Sequence, residues 1–143
     1  MTHTVANDIL IPEIERMIHA GQKVLFTPTG VSMRPFIEGG KDSVVLARAE
    51  TIAPGDILLC RVGDIYVLHR LIFLAGDELT LMGDGNISGT EHCCREDVIG
   101  KVVEIRSLKG RRKRLLKGRI WFRLLPLRPY LLKIYRKIIR YAL

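Results

Sequence analysis

The sequence has few cysteines and no long apolar run. No stretch of about 18 uncharged apolar residues occurs, so no membrane-spanning helix is predicted. The N-terminus also lacks the basic start and apolar core of a secretory signal, and none is expected. Two of the three cysteines, Cys93 and Cys94, are adjacent. This disfavours a disulfide framework and a zinc site with His92, and it makes the reducing cytoplasm the simplest compartment. No cofactor is expected.

Acidic residues are nearly absent from the end of the chain. Residues 101–143 hold 15 Lys/Arg against a single acid, Glu104, whereas residues 1–100 hold 8 Lys/Arg against 14 Asp/Glu. The net charge of +8 therefore combines two regions of opposite balance. We divide the 143 residues into a domain of residues 1–106, large enough to bury a core, and a basic tail of residues 107–143.

The pattern of apolar residues predicts a mainly β fold after one N-terminal helix. Helical spacing covers residues 8–20, Asn7 or Asp8 can cap this helix, and Gly21 is placed to end it. Short apolar runs follow, separated by turns that include Gly63-Asp64 and Gly76-Asp77. We expect a coiled, partly closed antiparallel sheet with tight hairpins at those two turns. The runs are 23–27, 43–47, 56–61, 66–73, 78–82 and 98–105.

The last segment, residues 130–143, predicts a basic amphipathic helix. Its apolar face carries Tyr130, Leu131, Ile134, Tyr135, Ile138 and Tyr141, and its basic face carries Lys133, Arg136, Lys137 and Arg140. The apolar face can dock on the sheet. Alternatively, residues 109–143, which include Trp121 and Phe122, can bind an anionic membrane surface on the cytoplasmic side. Nucleic-acid binding is not expected, because basic charge alone is weak support for it.

Two side chains are candidates for nucleophile and base. Ser32 follows a glycine-containing turn and precedes Met33 and Pro35, a proline that fixes the chain. A serine becomes nucleophilic when a neighbouring base takes its proton. His69 lies in the predicted strand 66–73, on a face shared with apolar residues. Burial there favours the neutral imidazole that a general base needs, although a lone serine or histidine of this kind is more often structural.

Asp84 is the candidate acid. It follows a strand and enters a glycine-rich turn, where it can accept backbone N–H bonds or orient the ring of His69. Considered alone, the turn interpretation is the stronger one.

Together these segments resemble the type I signal peptidase superfamily, which includes the LexA-like self-cleaving repressors. The likeness runs from about residue 26 to 105, and histidine in place of lysine resembles the endoplasmic-reticulum and archaeal branch. The motifs are Ser32-Met33-x-Pro35, Pro54-Gly55-Asp56, His69-Arg70 and Gly83-Asp84-x-Asn86. The resemblance implies a coiled β-sheet core in which Ser32 is the nucleophile, His69 the general base and Asp84 the first family aspartate.

The resemblance also implies an activity. A serine endopeptidase of this type would cut a leader or signal-like peptide after a small residue such as alanine, with the substrate extended along a strand edge. The backbone N–H of Ser32 would be one oxyanion donor. Gly30 stands where signal peptidases often carry a second donor, a serine hydroxyl, whose loss can cost about 3 kcal/mol of barrier. Gly89 and Thr90 replace further family acids, so Glu91 just beyond is an alternative to Asp84 for orienting His69.

Two other functions are open. A LexA-like self-cleaving regulator is disfavoured, because only 31 residues precede Ser32, too few for a helix-turn-helix domain and a linker. A catalytically inactive relative that binds peptides or a membrane surface is the second alternative.

Overall fold

The computed structural model of the protein describes residues 7–30, 32–86, 88–107, 112–113 and 123–142. Within these ranges the chain forms two α-helices, α1 (Asn7–His19) and α2 (Arg128–Ala142), and eight β-strands. The strands are β1 (Val24–Phe26), β2 (Ser43–Ala47), β3 (Ile57–Val62), β4 (Ile65–Ala75), β5 (Glu78–Met82), β6 (Glu91–Cys94), β7 (Val98–Arg106) and β8 (Arg112–Lys113).

The strands form one antiparallel sheet in the order β1-β2-β7-β3-β4-β5-β6, and β8 pairs with β7. The sheet curls into a half-barrel. The mainly β fold with a coiled antiparallel sheet and a helix near each end is therefore confirmed. The division into a domain and a tail at residue 106 stays a prediction.

Both tight hairpins form where the sequence predicts them. Val62 pairs with Ile65 across Gly63-Asp64, and Ala75 pairs with Glu78 across Gly76-Asp77. The glycines have φ of 58° and 59°, which two-residue hairpin turns require at this position and which glycine adopts without steric cost.

Helix α1 covers one face of the sheet. Ile11, Ile14 and Ile18 lie on one side of the helix and are buried in the larger core cluster with residues of β2, β3 and β7. The helix ends as predicted near Gly21, whose N–H donates to Ile18 O at 2.9 Å. The capping roles expected of Asn7 and Asp8 concern side chains outside those described.

A second cluster, Leu58, Cys60, Leu71, Leu79 and Leu81, fills the opposite side of β3, β4 and β5. The sheet is thus packed on two faces, and this close packing holds β4 in position between β3 and β5. None of the helices in the described ranges is long and apolar enough to cross a bilayer.

Candidate active site

Ser32 and His69 meet beside β4. His69 Nε2 lies 3.0 Å from Ser32 Oγ, within hydrogen-bond reach for a base and its nucleophile. His69 is 7% exposed within β4, while Ser32 is half-buried. The chain just after Ser32 is anchored because Met33 and Ile37 are buried in the larger core cluster.

Glu91 contacts the other nitrogen of the same ring. Its Oε2 lies 2.9 Å from His69 Nδ1. A carboxylate can only accept, so the contact favours a proton on Nδ1 and leaves the lone pair of Nε2 facing the Ser32 hydroxyl. The three side chains therefore form the serine–histidine–carboxylate arrangement of a hydrolytic triad.

Strand register explains why Glu91 reaches His69. Leu81 of β5 pairs with Leu71 of β4 on one side and with Glu91 of β6 on the other. Partners across a ladder point to the same face, and His69, two residues before Leu71, points to that face as well. No apolar run in the sequence marks β6 as a strand, so this register could not be predicted.

Asp84 does not occupy the position expected of it as the acid that orients His69. Its carboxylate accepts two hydrogen bonds from Arg70, from Nε to Oδ1 at 2.7 Å and from Nη2 to Oδ2 at 2.6 Å. Arg70 is 2% exposed and Asp84 is 0% exposed. A buried guanidinium needs a buried carboxylate, and Arg70 alternates to the face opposite His69, so it takes Asp84 away from the imidazole.

The turn that contains Asp84 holds the backbone of Ser32. The Gly85 N–H donates to Ser32 O at 2.8 Å, and the Asp84 N–H contacts Met33 Sδ at 3.4 Å. A Cβ on Gly83 would stand 2.5 Å from Ser32 O, so only glycine permits this approach. The Arg70–Asp84 pair thus affects Ser32 indirectly, because it fixes the turn that contacts the Ser32 backbone.

Two cavities border Ser32, and Gly30 and Ser32 line both of them. The smaller cavity, about 140 Å³, is bounded further by Met33, Ile37, Leu68 and His69, among others. The larger cavity, about 500 Å³, is bounded further by Arg34, Gly85, Asn86 and three residues of α2, namely Leu132, Tyr135 and Arg136. Ser32 therefore borders a smaller cavity and a larger one whose other lining residues differ.

One edge of β4 is open next to the smaller cavity. β3 pairs with β4 over residues 65–70, whereas β5 pairs with it only from Arg70 onward. Among the described strands, none covers the second edge of residues 65–69. An extended peptide can add to such an edge through backbone hydrogen bonds.

Helix α2 lies beside the site through Leu132, Tyr135 and Arg136, of which only Tyr135 belongs to the expected apolar face. Leu132 is buried, and Arg136 Nη2 donates to Gly85 O at 2.6 Å. Tyr130, Ile134 and Ile138, expected on the docking face, are instead 68%, 58% and 61% exposed. Docking of the apolar face on the sheet, one of the alternatives for this helix, therefore does not hold for these three residues. Trp121, Phe122 and most of the charge run 109–119 lie outside the described residues.

Three other side chains, those of Arg34, Cys60 and Cys93, have pKa values that their surroundings raise. Glu38 accepts a hydrogen bond from Arg34 Nη2 at 2.6 Å and raises the pKa of Arg34. Burial raises the pKa of the Cys60 thiol, and also that of Cys93. Within the described part of the chain, no three His, Cys, Asp or Glu side chains converge to hold a metal ion.

No protein-family model matches the chain, and no curated protein is significantly similar to it in sequence. The function must therefore be inferred from the geometry of the site.

Proposed function

We propose that the protein is a serine endopeptidase of the signal peptidase-like type, with Ser32 as nucleophile, His69 as general base and Glu91 as the acid that orients the base. The supporting observation is the continuous contact from Ser32 Oγ to His69 Nε2 at 3.0 Å and from His69 Nδ1 to Glu91 at 2.9 Å. Asp84 is proposed as a positioning residue: it binds Arg70 and lies in the turn that holds the backbone of Ser32.

The proposed reaction is acyl transfer to Ser32 and then to water. Ser32 Oγ attacks the carbonyl carbon of the peptide bond while its proton passes to His69 Nε2. His69 then gives this proton to the leaving nitrogen as the carbon–nitrogen bond breaks, which leaves an ester on Ser32. In the second half, His69 takes a proton from water as the water oxygen attacks the ester carbon. The bond from this carbon to Ser32 Oγ then breaks, His69 returns the proton to Oγ, and the peptide leaves as its carboxylic acid.

Two donors are proposed for the oxyanion. The first is the backbone N–H of Ser32, and the second is the side-chain amide of Asn86, since Gly30 has no hydroxyl to offer. Asn86 and Ser32 line the same cavity. The point where a Cβ on Gly83 would stand is 2.9 Å from Asn86 Nδ2 and 3.1 Å from Ser32 Cβ, so the amide and the nucleophile are close neighbours. A preorganised amide of this kind stabilises developing negative charge.

The proposed substrate is a leader or signal-like peptide that binds in extended form. The open edge of β4 at residues 65–69 supports this mode of binding. The smaller cavity, about 140 Å³ beside Ser32 and His69, has room for the side chain before the cut, which the resemblance implies is a small one such as alanine.

We further propose that helix α2 attaches the enzyme to an anionic membrane surface on the cytoplasmic side. Tyr130, Ile134 and Ile138 form an exposed apolar stripe at successive helical turns. Lys133 and Lys137, both exposed, lie beside this stripe. Cations next to an apolar stripe are the chemistry that an anionic bilayer surface binds.

The proposal is tested by peptide cleavage with matched variants. Fluorogenic peptides that carry alanine before the cut are incubated with the full chain and with Ser32→Ala and His69→Ala. Both variants are expected to lose turnover by about 10⁴-fold or more while they keep the circular dichroism of the parent. Ser88→Ala and His92→Ala, which change an exposed serine and an exposed histidine, should retain the turnover of the parent.

An inactive relative that only binds peptides is the alternative. Binding of these peptides without cleavage by the parent protein would favour it. Cleavage that survives Ser32→Ala would exclude Ser32 as the nucleophile.

A further inference from the structure

The cavity on the far side of Ser32 has one wall from the C-terminal helix. Leu132, Tyr135 and Arg136 of α2 bound it together with Ser32 and Asn86. These helix residues are spaced i, i+3 and i+4, so they form one face of α2. The face is held in place because Leu132 is buried and Arg136 donates to Gly85 O. The helix thus contacts the same turn that fixes the nucleophile.

The chemistry of this wall favours an apolar ligand. The Leu132 side chain and the Tyr135 ring supply apolar surface, and Gly30 and Gly85 leave room beside Ser32. The charge of Arg34 is already paired with Glu38, and Arg136 uses Nη2 on a backbone carbonyl. The volume of this cavity, about 500 Å³, exceeds the about 140 Å³ of the other cavity at Ser32, so it is the one with more room for a large side chain.

The direction of the substrate follows from the two cavities. A peptide whose carbonyl carbon lies at Ser32 Oγ must extend away from it on both sides. The small cavity and the open edge of β4 lie together on the His69 side, and they suit the residues before the cut. The residues after the cut then continue past Ser32 toward Tyr135.

We propose that the cavity between Ser32 and α2 is a substrate subsite that binds a bulky apolar side chain shortly after the cut, with Leu132 and Tyr135 as specificity-determining residues. This inference rests on the proposed peptidase function. It makes α2 a part of the substrate site.

The test compares peptides that share alanine before the cut and carry Phe, Leu, Ala or Asp at each of the three positions after it. For the parent, kcat/KM is expected to be about tenfold or more higher for Phe or Leu than for Ala at one of these positions. Leu132→Trp fills the cavity and Tyr135→Ala removes part of its wall, so each should bring this ratio close to one. Ile134→Ala, on the exposed face of the same helix, should leave the ratio unchanged.

Labelling by a small alkyl fluorophosphonate distinguishes a failure of the proposed subsite from a failure of the proposed peptidase function. Labelling of Ser32 that is equal in the parent and in both cavity variants shows that the nucleophile is intact. A parent that is labelled and cleaves, but shows no preference after the cut or prefers Asp, would overturn the subsite alone. A preference for Phe or Leu after the cut that persists in both cavity variants would also overturn the subsite alone. A parent that is not labelled and does not cleave would reject the peptidase, and the subsite with it.

Discussion

Glu91 Oε2 lies 2.9 Å from His69 Nδ1, on the ring nitrogen opposite the one that faces Ser32. The carboxylate fixes both the orientation of the ring and the position of its proton. It comes from a four-residue strand, β6, that is held to β5 by backbone pairing. The short strand thus completes the candidate site.

Glu91→Gln is expected to lower kcat by up to about 10⁴-fold, because the amide can donate to Nδ1 and place the ring proton on Nε2. The measurement is peptide turnover, with circular dichroism as a check on folding. Glu96→Gln, at an exposed glutamate five residues further on, is the matched control. Turnover equal to that of the parent in Glu91→Gln would remove Glu91 from the mechanism.

Asp84→Ala is expected to lower the free energy of unfolding by about 3–5 kcal/mol, because it leaves the buried Arg70 guanidinium without its carboxylate. Urea denaturation measures this loss. The double variant Arg70→Met/Asp84→Leu, which removes both charges, should recover most of the stability. If Asp84→Ala unfolds like the parent and loses only turnover, Asp84 acts on the chemistry directly.

Asn86→Asp keeps the shape of the side chain but removes its N–H donors. We expect kcat to fall by about 10²–10³-fold with KM nearly unchanged, the effect of losing one oxyanion donor. Asn86→Ala should behave similarly. A rise in KM with kcat unchanged would mean that Asn86 binds the substrate uniformly and does not stabilise the oxyanion.

The Cys60 thiol is expected to make stability depend on alkaline pH. Its pKa is raised, chiefly by burial and also by Cys93. An unfolded thiol ionises near pH 8.5, so its stabilising effect is complete below that pH and is lost as the pH rises toward the folded pKa. Between pH 8 and pH 10 the parent should lose about 2 kcal/mol more than Cys60→Val. Equal losses in the two proteins would contradict the assignment.

The exposed stripe of α2 is expected to drive binding to vesicles that contain phosphatidylglycerol. Ile134→Asp/Ile138→Asp should reduce co-sedimentation by about tenfold or more, since it places charge on the apolar stripe. Ile65→Asp changes another exposed isoleucine, in the β3–β4 hairpin, and should have no effect. Binding that persists in the double variant, or that is equal on neutral vesicles, would argue against this surface.

Most of the sheet could be predicted from the sequence because its signals are local. The turns Gly63-Asp64 and Gly76-Asp77 both join paired strands, and β2 and β5 have the predicted bounds. The strand β6 has the sequence Glu91-His92-Cys93-Cys94, without the alternation of apolar and polar residues that predicts a strand.

The candidate site was predictable only in part. The contact between Ser32 and His69 agrees with the resemblance. The choice between Asp84 and Glu91 depended on pairing between β4, β5 and β6, which no local pattern encodes. The sequence left docking and membrane binding of α2 open, because its apolar pattern does not show which of its residues are packed and which, such as Ile134 and Ile138, are exposed. Its contacts depend instead on Leu132 and on the hydrogen bond from Arg136 to Gly85.

The most direct test of the central claim is intact-mass analysis after treatment with a fluorophosphonate, followed by peptide mapping. The parent is expected to gain one adduct, on Ser32, while His69→Ala gains none within the same time. No adduct on the folded parent, or equal labelling of Ser32 in His69→Ala, would contradict activation of Ser32 by His69.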